Sequence, residues 1–218
     1  MKSDTPQRLL IIDDHPLFRK GVMQLVTPEP EFDVVGEASS GGEGIELARA
    51  LDPDMILLDL NMRDMNGVEV LKVIKASGSE ARVVMLTVSD QADDLVAALR
   101  AGADGYLLKE MEPEGLLAKL KEAAEGHITL TERLASRLAH ALRADSGPKA
   151  PDQAGLTEQE GRILDLIAAG KSNKAIAREI GISDGTVKVH VKHLLRKLGL
   201  HSRLEAAVWA IENRRGAG

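Results

Sequence analysis

Two short apolar runs in this chain end abruptly in acid. Leu9-Leu-Ile-Ile leads into Asp13-Asp14, and Met55-Ile-Leu-Leu leads into Asp59, with Asn61, Asp64 and Asn66 just beyond. Four to six apolar residues bounded by polar ones read as strands buried on both faces, the pattern of a parallel sheet. In an open α/β sheet, ligands sit outside the carboxyl ends of the strands. Asp59 is therefore expected to project into a crevice with its carboxylate available. A lone Asp in such a place would most simply cap the next helix, but Asp59 has acidic company.

The first half of the chain repeats this strand-then-helix alternation. His15-Pro16 opens an apolar-periodic helix through Leu17, Val22, Leu25 and Val26, with Pro16 suited to its first turn. Strands follow at Phe32–Ala38, Arg82–Thr87 and Ala103–Lys109, and helices at Gly41–Leu51, Gly67–Ala76, about Leu95–Ala101 and Pro113–Glu125. Five strands alternating with five helices predict an α/β, flavodoxin-like (βα)5 fold, a doubly wound parallel sheet with strand order 2-1-3-4-5. Its switch point lies beside strands one and three, whose ends carry Asp13, Asp14 and Asp59. Three converging carboxylates repel one another unless a cation neutralises them. Oxygen ligands suit Mg²⁺, which keeps several waters and shares a phosphate instead of demanding a full protein cage. Strand four ends in the hydroxyl of Thr87 and strand five in the cation of Lys109. Nucleophile, metal site, hydroxyl donor and fixed positive charge together suit in-line phosphoryl transfer to an aspartate.

Charge divides the chain in two. Residues 1–144 carry 16 Lys+Arg against 25 Asp+Glu, and residues 145–218 carry 12 against 9, so an acidic part of −9 precedes a basic part of +3. Only the basic part is suited to nucleic acid. Four aromatic residues in the whole chain are too few for a base-stacking platform. There is no cysteine, which excludes disulfides and thiolate chemistry. No apolar run approaches the roughly 18 residues of a membrane span, and the N-terminus runs straight into a strand, so a soluble cytoplasmic protein is expected.

Leu130, Leu134, Leu138 and Leu142 recur at four-residue spacing, predicting an amphipathic helix over Ile128–Arg143, able to pack on its own domain or at an interdomain or dimer contact. Residues 145–155, rich in Pro and Gly, read as a flexible linker. Thr157-Glu-Gln-Glu160 is a capping box opening a helix to Gly170; Ser172 and Ser183 cap two more, and Ser202-Arg-Leu-Glu205 opens the last. Helix, short Gly-containing turn and helix make a helix-turn-helix. On the helix from Asp184 to Leu198, Val187, Val191, Leu194 and Leu198 form the buried stripe, while Lys188, Lys192 and Arg196 share another face with Val189 beside them. Basic residues on one face are often simply solvated. After a helix-turn-helix turn they fit a recognition helix, in which lysine donates to guanine and valine meets a thymine methyl.

Asp13-Asp14, Leu58-Asp59-Leu-Asn-Met62, Thr87 and Tyr106-Leu-Leu-Lys109 resemble the receiver domain of two-component response regulators. The resemblance implies that Asp59 is the phosphoacceptor and that Asp13, Asp14, Asp59 and the main-chain carbonyl of Asn61 bind Mg²⁺. It implies that Thr87 and Lys109 meet the phosphoryl group and that Tyr106 is a switch residue. The family usually has Met-Pro after the acceptor strand; this chain has Met62-Arg63, which brings a cation close to the site. The second half resembles the LuxR/FixJ-type helix-turn-helix in Leu156–Glu160, Gly170–Lys174, Ile182-Ser183 and Thr186–His190, with Gly161 as a departure. Val34–Ser39, Leu51–Asp54 and Thr186–His193 are similar to nitrate/nitrite-responsive members of the family.

The implied organisation is a receiver domain over 1–127, a linker helix and flexible linker over 128–155, and a DNA-binding domain over 156–218. The implied partners are a sensor histidine kinase, double-stranded DNA and a second copy of the chain on DNA, with no membrane. The unphosphorylated acidic domain is expected to dock on the recognition face of the basic one. A different signal, or a dimer that binds DNA without phosphorylation, remains an alternative. An Asp-nucleophile phosphatase would also use Mg²⁺, but such enzymes place Asp-x-Asp after the first strand, whereas Asp59 follows the third.

Overall fold

The computed structural model describes residues 6–88, 91–127, 129–130, 155–200 and 202–215. The first half builds a parallel sheet in the order β2-β1-β3-β4-β5-β6 from β1 (Gln7–Ile12), β2 (Phe32–Ala38), β3 (Met55–Asp59), β4 (Arg82–Thr87), β5 (Gly105–Leu108) and β6 (Thr129–Leu130). The helices are α1 (Pro16–Val26), α2 (Gly41–Leu51), α3 (Gly67–Ala76), α4 (Ala92–Arg100) and α5 (Pro113–Ala124). The first five strands of the chain follow the expected order 2-1-3-4-5. Strand order reverses between β1 and β3, which pair in register from Leu9 with Met55 to Ile12 with Leu58.

The sheet separates two apolar layers because alternate strand residues face opposite sides. Leu10, Ile12, Ile56 and Leu58 pack with α2, α3 and α4; Leu9, Ile11, Met55 and Leu57 pack with α1 and α5. All eight are fully buried, which is why the runs lack the polar alternation of a half-exposed strand.

Two sequence expectations need correction here. Leu17, placed on the apolar face of α1 by its spacing, is 86% exposed; α1 packs on the sheet through Phe18, Val22, Met23, Leu25 and Val26 instead. Thr129 and Leu130 do not begin a helix: they form β6, pairing parallel with Gly105 and Tyr106. An uncovered β5 edge leaves main-chain donors and acceptors unpaired, and Gly105 has no side chain to obstruct Thr129, whose hydroxyl would overlap a Cβ there. The remainder of the expected linker helix and linker, residues 131–154, lies outside the described residues.

The second half comprises α6 (Glu158–Ala168), α7 (Asn173–Ile180), α8 (Asp184–Leu198) and α9 (Arg203–Arg215). Each of the first three starts on a side-chain cap: Thr157 accepts from Glu160 N–H, Ser172 from Ala175 N–H and Ser183 from Thr186 N–H. Gly181, at φ 74°, ends α7 in the left-handed conformation that turns the chain into α8. Val187, Val191, Leu194 and Leu198 are the buried stripe of α8. Leu204 and Val208 of α9 join the apolar cluster of the first half that holds Leu95, Leu99 and Tyr106.

Candidate phosphoacceptor site and DNA-binding helix

Each strand end at the switch point delivers one polar group. Asp13 follows β1, Asp59 ends β3, Thr87 ends β4 and Lys109 follows β5. Asp13, Asp59 and Thr87 are at most 1% exposed. Lys109 Nζ is shared between Asp13 Oδ2 at 2.7 Å and Asp59 Oδ2 at 2.8 Å, and it lies 4.8 Å from the centre of the Phe18 ring. Asn61 N–H donates to Asp59 Oδ1 at 3.2 Å, and Asn61 Nδ2 donates to Thr87 Oγ1 at 3.4 Å. Burial raises the pKa of Asp59 above its ordinary value, against the hydrogen bond from Lys109, and the charge of Asp13 pushes the same way as burial.

The loop after β3 is held by its own polar residues. Asp64 accepts from the N–H groups of Gly41 and Gly42 at the start of α2, which lowers its pKa and suits the positive end of a helix. Asn66 caps α3 through Val68 N–H. Gly67 approaches the backbone of β3 so closely that a Cβ would overlap the carbonyl oxygen of Asp59. The Asn66-Gly67 pair was the visible signal for that close approach.

His15 was not foreseen as a site neighbour; Arg63 was expected near the site, and the structure shows what it contacts. His15 Nδ1 lies 2.9 Å from Asp14 Oδ1, 3.4 Å from Asp13 Oδ1 and 3.6 Å from Asp59 Oδ2. Arg63 N–H donates to Asp14 Oδ2 at 3.2 Å. One ligand atom from each of Asp13, Asp14, His15 and Asp59 can be chosen within 4.8 Å of one another. Buried carboxylates this close, with one lysine between two of them, fit a hard divalent cation that prefers oxygen. Tyr106, on β5, is already fully buried, in the same cluster as Leu204 and Val208.

In the second half, Lys188, Val189, Lys192 and Arg196 are all exposed on α8. Of these, Lys188 reaches the first half: its Nζ is 2.8 Å from Glu80 Oε2, which lowers the Glu80 pKa. The docking expected of all three cations is thus drawn, in the described contacts, through Lys188 at the N-terminal part of the helix. Arg203, at the start of α9, hydrogen-bonds Asn173 Oδ1 and the Lys171 carbonyl. Burial lowers its pKa to about 10; Asp104 opposes that shift and Arg82 adds to it.

Residues 9–121 match the response regulator receiver domain, and residues 154–210 match bacterial regulatory proteins of the luxR family. The chain belongs to the NarL/FixJ family of response regulators. This regulator is 52% identical over 214 residues to the nitrate/nitrite response regulator protein NarL of Escherichia coli K12, covering 98% of this chain and 99% of that protein. A nitrate/nitrite response regulator homolog of Haemophilus influenzae is 45% identical over 95% of this chain and 98% of its own. Among solved structures, the response regulator ChrA of a heme-sensing two-component system superposes with a TM-score of 0.51 at 31% identity, covering 97% of this chain and 98% of that one. A further relative, 39% identical over 94% of this chain and 97% of its own, is the transcriptional regulatory protein LiaR of Bacillus subtilis. The regulator's receiver half implies a histidine kinase partner and its luxR-type half implies DNA binding. Among the described residues, no helix is long and apolar enough to cross a membrane.

Proposed function

We propose that the chain is a cytoplasmic, DNA-binding transcriptional regulator switched by phosphorylation of Asp59 from a partner histidine kinase. The observation that carries this reading is Lys109 lodged between Asp13 and Asp59 at the switch point, on a chain that continues into a helix-turn-helix. Residues 1–127 act as receiver, with Thr129 and Leu130 adding an edge strand to its sheet; the rest of 128–155 acts as connector and 156–218 as DNA-binding domain. Nitrate/nitrite-responsive control is the signal best supported, by the two relatives that carry that description.

In this reading Asp59 attacks the phosphorus of a phosphohistidine; the new O–P bond forms as the N–P bond breaks, and the imidazole leaves. Asp13, Asp14, Asp59 and the Asn61 carbonyl would hold Mg²⁺, which when bound supplies positive charge against the phosphoryl oxygens. Lys109 transfers part of its pairing from the Asp59 carboxylate to a phosphoryl oxygen, and Thr87 turns its hydroxyl toward the same group. Tyr106 shifts with Thr87, at the cluster shared with Leu204 and Val208. Movement there loosens α9 and frees Lys188 from Glu80, so that α8 can enter a major groove, with two copies pairing over two half-sites.

The test is intact mass after incubation with acetyl phosphate. A single phosphoryl adduct is expected in Mg²⁺, absent in EDTA and absent from Asp59→Asn. An adduct on Asp59→Asn, or undiminished labelling in EDTA, overturns the assignment. For the signal, phosphotransfer from a nitrate-responsive sensor kinase should exceed that from an unrelated kinase, and equal rates would remove the nitrate reading.

A further inference from the structure

The three carboxylates of the pocket are not neutralised alike. Lys109, 8% exposed, serves Asp13 and Asp59. Asp14 is engaged instead by His15 Nδ1 and by Arg63, which contacts one oxygen twice: its N–H donates to Oδ2 at 3.2 Å and its Nε stands 3.5 Å from the same atom. The Asp14 side chain is 9% exposed and the Arg63 side chain 87%. A solvated arm therefore reaches back over a mostly enclosed carboxylate. Proline at this position would supply neither contact, having no N–H and no charge.

We propose that Arg63 is a built-in counter-ion of the cation centre, and that it competes with Mg²⁺ for Asp14. This rests on the reading of Asp13, Asp14 and Asp59 as metal ligands. In the metal-free pocket the guanidinium offsets the charge of Asp14, which Lys109 does not reach in the described contacts. An oxygen cannot be held closely by a divalent cation while a guanidinium sits 3.5 Å away without mutual repulsion between the two cations. Arg63 must swing out before Asp14 is fully available. Its high exposure makes that movement easy, so the competition is modest and not prohibitive. Arg63 thereby sets the Mg²⁺ concentration at which Asp59 becomes competent.

The experiment is calorimetric titration of the full chain with Mg²⁺ at low ionic strength, with no phosphodonor. Arg63→Gln keeps the N–H and removes the charge; it is expected to bind Mg²⁺ about two- to fivefold more tightly, the range an exposed ion pair supports. That advantage should shrink as salt is raised, because exposed charges are screened. Lys20→Gln, which removes an exposed cation from α1, should leave the affinity nearly unchanged. Equal affinities for wild type and Arg63→Gln overturn the inference. So does an equal gain in Lys20→Gln, which would assign the effect to net charge. Asp13→Asn separates this from the underlying reading. Mg²⁺ binding that survives it removes the metal centre, and the competition with it; binding lost in Asp13→Asn but unchanged in Arg63→Gln removes the competition alone.

Discussion

The Asp59 carboxyl is raised above its ordinary pKa by burial, and next by the charge of Asp13, against the hydrogen bond and charge of Lys109 and the N–H of Asn61. A carboxyl whose folded pKa is raised contributes stability below its unfolded value of 3.8, and that contribution is lost as pH rises through the folded one. Asp59→Asn is therefore expected to raise the melting temperature of the protein at neutral pH in the absence of divalent cations. The gain should fade as pH drops toward the carboxylate range. Thermal denaturation in EDTA across that range checks it, and a lower melting temperature at pH 7 would show that the Lys109 pairing outweighs burial. Asp13, Asp59, Thr87 and Lys109 were legible in the sequence because each stands where an apolar run stops, and parallel strands bring such ends together. The contacts of His15 and Arg63 were not legible, since they depend on the dihedrals of two loops and on which way an exposed side chain turns. Leu17 misled for a related reason: periodicity gives a face, but not which residues of that face meet a neighbour.

At the scale of the element, the DNA-binding half shows how much local chemistry can specify. Thr157 and Glu160 form the reciprocal cap that their spacing predicts, and Glu160 additionally pairs with Lys197 of α8 at 2.6 Å. Burial pushes the Glu160 carboxyl up, but Lys197 and Thr157 outweigh it and the net pKa is lowered. Its stabilising contribution is accordingly present above the unfolded value of 4.5 and lost as pH falls through the folded one. Glu160→Gln should cost roughly 1–2 kcal/mol near pH 7, and the two proteins should converge in denaturation experiments at acid pH. Lys188 and Lys192 carry a second expectation on α8. If they read bases, alanine at either should cost about 1–3 kcal/mol on cognate DNA and relax preference at one position. Equal losses on cognate and scrambled DNA, with a salt slope lower by about one, would reduce them to phosphate contacts. The two-residue β6 was beyond such reading. Leucines four apart describe a helix face as well as any, and only the open edge of β5 beside Gly105 explains why Thr129 and Leu130 pair there instead.

Across the whole molecule, an acidic part and a basic part meet, among the described contacts, through the exposed ion pair of Lys188 with Glu80 and through the seating of Leu204 and Val208 in the receiver's apolar cluster. Lys188 cannot hold Glu80 and a DNA base at once. Glu80→Lys should therefore raise the DNA affinity of the unphosphorylated protein, by about two- to fivefold for so exposed a pair. A fragment from Ala154 onward should bind operator DNA at least as well as the unphosphorylated whole. Gel-shift titrations decide, and a fragment that binds more weakly than the whole would mean that the receiver assists binding. The exclusivity of Lys188 has a further consequence, because mutually exclusive equilibria run in both directions. If a phosphoryl mimic at Asp59 such as beryllofluoride tightens operator binding by some factor, operator DNA must tighten binding of that mimic by the same factor. The promoter would then be no passive reader of the signal: a regulator resting on its operator would retain the activating group at donor levels too low to load its free counterparts.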